Sequence, residues 1–179
     1  MPSDRPHLYL AYGSNLHPLR LARRTPSCRL LGQASLPGFA LRFHKRSDVD
    51  GSAKADACHT GRHQDQVHGV VYRLAAEEFP VLDRIEGVGA GYRLTVLEVD
   101  CAGQRREVFL YTAVPSHLSP ELRPFAWYRE LVWRGARFHA MPEHYVHGIR
   151  QGPAMPDPDP DRDLRHRRLL DEMACWSGS

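Results

Sequence analysis

An α+β domain is what this sequence predicts, with a mostly antiparallel, barrel-like mixed sheet of about six or seven strands and helices at its periphery. Three observations lead there. Short segments of strand character recur along most of the 179 residues. A hairpin signal, Cys101-Ala102-Gly103-Gln104, joins two alternating runs, 92–100 and 105–114. Helical periodicity falls between and after the strands rather than alternating with them.

Taken in order, residues 7–12 read as a strand that ends in Gly13-Ser14-Asn15. Residues 17–24 have helical composition and stop before Pro26, because a residue preceding proline avoids the helical region. Residues 28–36 and 40–44 read as strands separated by the Pro37-Gly38 turn. The stretch 45–66 is polar and histidine-rich, an excursion with one short strand near 53–57. Residues 67–74 form a strand. Residues 75–86 have helical periodicity, with Pro80 tolerated only near the first turn. Residues 124–138 read as an amphipathic helix and 142–148 as a shorter one. The run GPAMPDPDPD reads as a linker, and 163–173 as a terminal helix. The expected organisation is a domain over 1–151, then a Pro/Asp-rich linker and short C-terminal helix over 152–179.

Composition narrows the function classes. The 24 Lys and Arg are offset by 21 Asp and Glu, for a net charge of +3, which is no footprint for nucleic acid. No apolar run approaches the ~20 residues of a membrane-spanning helix. The first six residues are polar and lack the apolar core of a signal peptide. A soluble cytoplasmic protein is expected, with Cys28, Cys58, Cys101 and Cys175 as reduced thiols, since they form no CxxC pair.

Four constellations could carry chemistry. The segment Tyr12-Gly13-Ser14-Asn15-Leu16 runs from an apolar strand into a sharp turn whose successive N–H groups can cradle a carboxylate or a polarised carbonyl oxygen. The plainer reading makes Ser14 or Asn15 the cap of the following helix. Glu86 is the second. Phe79, Leu82 and Ile85 mark the apolar face of its helix, and Glu86 follows Phe79 by seven and Leu82 by four, on or beside that face. Partial burial and the negative end of the helix both disfavour a charged carboxylate there. A carboxyl so placed suits general acid–base work, whereas the plainer reading pairs it with Arg84 or Arg93, or turns it to solvent. Tyr92, Tyr111 and Tyr128 form the third group, and buried tyrosines usually serve packing. The fourth, Cys58, His59, His63 and His68, resembles a metal set but matches no closed zinc spacing, so no metal is expected.

Together, Tyr12-Gly13-Ser14-Asn15-Leu16 and Leu82-Asp83-Arg84-Ile85-Glu86-Gly87-Val88 resemble two motifs of the γ-glutamylcyclotransferase family, in order and about 70 residues apart. Gly91-Tyr92, Phe109-Leu110-Tyr111-Thr112 and Trp127-Tyr128-Arg129 are similar to further family segments. The resemblance covers residues 8–149; the tail after Gly152 has no recognised counterpart. It implies the family's fold and a cofactor-independent enzyme that closes a small γ-glutamyl substrate into 5-oxoproline. Glu86 would be the acid–base, and Tyr12 to Leu16, Tyr92, Tyr111 and Tyr128 would form the substrate pocket. The Tyr-Gly-Ser-Asn form looks more like the γ-glutamyl amino acid branch than the amine branch. Arg93 and Arg129, one residue beyond the matched tyrosines, are candidates to pair with a substrate carboxylate or with surface acids. No nucleic-acid or membrane partner is expected, and a homodimer is open.

Overall fold

The computed structural model describes residues 6–178, so residues 1–5 of the polar N-terminal stretch lie outside the described residues. Among the described residues seven strands form: β1 (Leu8–Ala11), β2 (Arg29–Pro37), β3 (Phe39–Arg46), β4 (Ala53–His59), β5 (Gln66–Arg73), β6 (Tyr92–Cys101) and β7 (Gln104–Ala113). Five α-helices accompany them: α1 (Pro18–Arg24), α2 (Phe79–Glu86), α3 (Ala126–Phe138), α4 (Glu143–Gln151) and α5 (Pro160–Cys175). No helix among the described residues is long and apolar enough to cross a membrane. The four cysteines are unpaired.

Five strands make one sheet in the order β2-β5-β1-β7-β6, and β3 pairs with β4 in a second. The pairings are antiparallel except β1 with β7, so the sheet is mixed as expected. β1 is central, and its apolar run Leu8-Tyr9-Leu10-Ala11 is buried on both faces from Tyr9 onward. The sheet curls far enough for its edge strands β2 and β6 to touch. Closing a twisted sheet on itself in this way leaves less edge exposed.

The polar stretch after residue 44 departs from expectation. β4 is a full seven-residue strand whose Ala53, Ala55 and Ala57 are buried. Alternating alanines pack as a core face, but their small size and the intervening Lys54 and Asp56 mask the pattern. The register between β3 and β4 shifts between Phe43 and Lys45, leaving His44 out of the pairing. His44 Nε2 instead meets Asp56 Oδ2 at 2.8 Å, and Asp56 Oδ1 accepts the Ala113 N–H at 2.7 Å. That carboxylate therefore latches the second sheet to the end of β7.

The tail begins its helix earlier than the sequence suggests. Asp159 caps α5 by accepting the Asp161 and Arg162 N–H groups, both at 3.0 Å, and Pro160 fills the first helical position. Trp127 of α3 donates its indole N–H to Asp157 at 2.7 Å and stacks on His166 of α5, with ring centroids 3.5 Å apart. Arg162 binds the same Asp157, which holds that carboxyl far below the usual range.

Two histidines tie this packing to pH. Burial pushes the His17 and His166 imidazoles down to about 4. A base whose folded value lies below its unfolded one contributes its stability in full above about pH 6.5 and loses it as pH falls toward about 4. The melting temperature should therefore drop across that window. It should drop less steeply in His17→Asn, which keeps the helix cap. A melting temperature that stays flat across the window would contradict this.

Candidate active site

Glu86 is the last residue of α2, and Gly87 ends the helix in the left-handed conformation, φ 69°. Phe79 and Leu82 are buried, as the periodicity requires, while Ile85 is 42% exposed. The buried stripe is thus Phe79 and Leu82, with Glu86 partly buried beside them, and Ile85 is dropped from it. The Glu86 side chain is 17% exposed. It pairs with neither Arg84 nor Arg93. Asn15 Nδ2 donates to its Oε1 at 2.8 Å, and Arg24 Nη1 lies 3.4 Å from the same oxygen. These donors offset the unfavourable helix end and the partial burial.

Asn15 links the two segments. Its Nδ2 also donates to the Tyr9 hydroxyl at 3.1 Å, and its Oδ1 accepts from Arg24 at 2.9 Å. The amide orientation follows from its partners, because guanidinium only donates and carboxylate only accepts. Neither Ser14 nor Asn15 caps α1. His17 does, its Nδ1 accepting the Leu19 N–H at 3.3 Å. The plainer reading of the Gly-Ser-Asn turn therefore fails, and its polar groups face a cavity instead. Gly13 allows β4 close by, since a Cβ there would lie 3.1 Å from the Ala55 Cβ.

The tyrosines complete the chamber. The Tyr12 hydroxyl donates to the Tyr111 carbonyl, and the Tyr92 hydroxyl to the Ala55 carbonyl. The Tyr128 hydroxyl accepts the Ala55 N–H at 3.1 Å. Tyr111 donates to Asp83 Oδ1 at 2.7 Å, one helical turn before Glu86. Burial is the main cause that raises the Tyr9, Tyr12 and Tyr92 phenols well above their usual range and pushes Tyr128 up to about 12. These hydroxyls stay protonated near neutral pH, so they can orient a ligand but not take its proton.

Tyr12, Gly13, Ser14, Asn15, Glu86, Tyr92, Tyr111 and Tyr128 all line this chamber, together with Tyr9 and Ala55. Leu16 lies just beyond, fully buried, its carbonyl accepting the Tyr72 hydroxyl at 2.7 Å. It supports the turn and does not line the chamber. The chamber is narrow, about 20 Å³, and opens past Ser14, Glu86, Tyr92 and Tyr128 into a mouth of about 360 Å³. Most of any bound ligand must therefore occupy the mouth. A larger cavity of about 510 Å³ lies between β3, β5 and α4, away from Glu86, and its polar lining, Gln64, Asp65, Gln66, His68 and His144, includes nothing from the Gly-Ser-Asn turn or the α2 segment.

Sequence reasoning missed several groups. Arg20 and Arg24 of α1 and Lys45 of β3 line the mouth. Arg93 and Arg129 do not; Arg93 reaches Thr112 and Arg129 the Gly152 carbonyl. Position along α1 could have flagged Arg20 and Arg24, which lie five and nine residues after Asn15. Nothing in the sequence singles out Lys45 or Ala55. The cluster Cys58, His59, His63 and His68 does not gather in space either. Cys58 instead lies with His44 and Asp56, their ligand atoms within 4.8 Å of one another, while His68 packs on Tyr145.

Known proteins resemble this chain in sequence and fold. The AIG2-like family model matches residues 66–149, a span that carries Glu86 and three of the tyrosines but not the Gly-Ser-Asn turn. Human gamma-glutamylcyclotransferase is 28% identical over 151 residues, covering 83% of this chain and 80% of that protein. The bovine gamma-glutamylcyclotransferase is 28% identical over 144 residues, covering 77% and 74%. A solved structure named gamma-glutamyl cyclotransferase superposes with a TM-score of 0.77 at 23% identity, over 93% of this chain and 98% of its own. A match that long must include part of residues 152–179, so the tail does have a structural counterpart. The curled mixed sheet with its second small sheet and surrounding helices is thus the γ-glutamylcyclotransferase-like fold. The partial AIG2-like match, the curated relatives and the shared fold together support a place for this chain in the γ-glutamylcyclotransferase family.

Proposed function

We propose that this protein cyclises a γ-glutamyl amino acid or dipeptide to 5-oxoproline and releases the free amine, with Glu86 moving the proton. The observation that carries this reading is the partly buried Glu86 carboxyl at the end of α2, bonded at 2.8 Å to Asn15 of the strand-to-helix turn. The names of the relatives support the same reaction.

The substrate's α-amine attacks its own γ-carbonyl carbon and closes a five-membered ring. Glu86 takes the proton the amine must lose, and the C–N bond to the leaving portion breaks. The protonated Glu86 then returns that proton to the departing nitrogen. Because the attack is intramolecular, the protein has mainly to fold the substrate and manage the proton. Effective molarities of ~10⁵–10⁸ M are reached when such geometry is held. The N–H groups of Ser14 and Asn15 serve the glutamyl carboxylate or the developing oxyanion. Tyr92, Tyr111 and Tyr128 wall the chamber.

Release of 5-oxoproline from a panel of γ-glutamyl dipeptides and γ-glutamyl amines tests this directly. Turnover of at least one dipeptide is expected. A folded protein that releases nothing from any member overturns the reading.

A further inference from the structure

The cations of the mouth divide by what holds them. Lys54 Nζ is bound by Asp50 at 2.7 Å and by the Ser52 hydroxyl at 2.8 Å. Arg24 is bound by Asn15 and Glu86. Arg162 is bound by Asp157. Arg84, also at the mouth, is exposed to solvent. Arg20 and Lys45 differ, because both are buried and no hydrogen bond or ion pair among the described residues reaches either side chain's charged end.

Arg20 is 9% exposed, and its Nε is buried with no hydrogen-bond partner. Burial, with repulsion from Arg24, pulls its guanidinium down to about 9. Lys45 is 7% exposed, and its ammonium lies over the Tyr92 ring, 4.6 Å from the centroid. Burial lowers its affinity for the proton too, against the attraction of Asp48, Glu86 and Asp50. Gly91 makes this placement fit, since a Cβ there would stand 2.6 Å from the Lys45 Cε. Among the described residues no acid is bonded to either cation, and Glu86 is held by Asn15 and Arg24. Asp50 is committed to Lys54, and Asp48 to His117 at 3.0 Å and Arg46 at 3.9 Å. Desolvated, unpaired cations cost free energy that an incoming carboxylate recovers through charge-assisted hydrogen bonds.

We propose that Arg20 and Lys45 form a carboxylate-binding subsite for the leaving portion of the substrate, selecting γ-glutamyl amino acids and peptides over γ-glutamyl amines. The proposal rests on the function proposed above. It follows from the size of the chamber, which leaves most of the substrate in the mouth, where these two side chains flank Glu86. An amine leaving portion would keep both cations unpaired, and a site built for a charged group discriminates strongly against a ligand that lacks it.

Binding and turnover are tested separately. Glutaryl-alanine and glutaryl-ethylamide lack the α-amine and cannot cyclise, so calorimetry with them reads the subsite alone. The wild type should bind the alanine probe about tenfold more tightly. Lys45→Met should reduce that ratio to near one, and Gly91→Ala should reduce it in the same direction by displacing the ammonium. Arg20→Met, with its melting checked, should act likewise. A wild type with no preference, or a Lys45→Met protein that keeps the full preference, overturns the subsite. In parallel, kcat/KM is compared for γ-glutamyl-alanine and γ-glutamyl-ethylamide. Probe preference without any 5-oxoproline leaves the subsite standing and removes the catalytic reading. Equal turnover of both substrates with no probe preference does the reverse.

Discussion

Glu86→Gln should lower 5-oxoproline release about 10³-fold, the range a positioned acid–base group supplies. The substitution keeps the size of the side chain and an oxygen to accept from Asn15 and Arg24, the two contacts made at 2.8 and 3.4 Å. The fold should therefore survive, with a melting temperature close to that of the wild type. What the amide cannot do is take the proton of the attacking amine. The surrounding phenols do not replace it, because burial holds them protonated. Steady-state assays of 5-oxoproline, run beside thermal melting, separate loss of chemistry from loss of fold. A Gln variant with near-normal kcat would remove Glu86 from the mechanism.

The largest effect on stability is expected from Asp56→Ala, about 3 kcal/mol. Asp56 is 4% exposed and uses one oxygen for His44 and the other for the Ala113 N–H. Truncation strands both partners in a dry setting, and breaking one side of such a buried pair costs ~3–5 kcal/mol. The neighbouring Ala55 holds Tyr92 and Tyr128 through its carbonyl and N–H, so loosening β4 should also loosen the chamber wall. Asp56→Asn keeps an acceptor for Ala113 and should lose less. Urea denaturation of the three proteins measures both numbers. A loss below about 1 kcal/mol for the alanine variant would show that the latch between the sheets is dispensable.

Much of this was legible in the chain. The hairpin of β6 and β7, the helix ending at Glu86 and the strand leading into Gly13-Ser14-Asn15 all follow from local periodicity and turn chemistry. β4 was underestimated, because alanines separated by Lys54 and Asp56 carry a weak hydrophobic signal. Periodicity assigns Ile85 to the buried face, but it lies at the end of a short helix where the buried arc has narrowed to Phe79 and Leu82, with Glu86 partly buried beside them. The histidine-rich stretch resembles a metal set without a closed zinc spacing, and in the structure Cys58 groups with His44 and Asp56 instead of its sequence neighbour His59, since neighbours along a strand point to opposite faces.

The sequence by itself determined the kinds of element, their order, and which residues could do chemistry, because those depend on interactions between near neighbours. It brought Glu86 and the Gly13–Leu16 turn to attention as separate motifs 71 residues apart. Only the tertiary structure decided that Asn15 reaches Glu86, that Ala55 of a second sheet holds two of the tyrosines, and that Arg20 and Lys45 stand unpaired beside the carboxyl. Those facts depend on how far the sheet curls and where β3 slips its register by one residue. Such long-range packing is set by the whole core at once, and no local pattern encodes it.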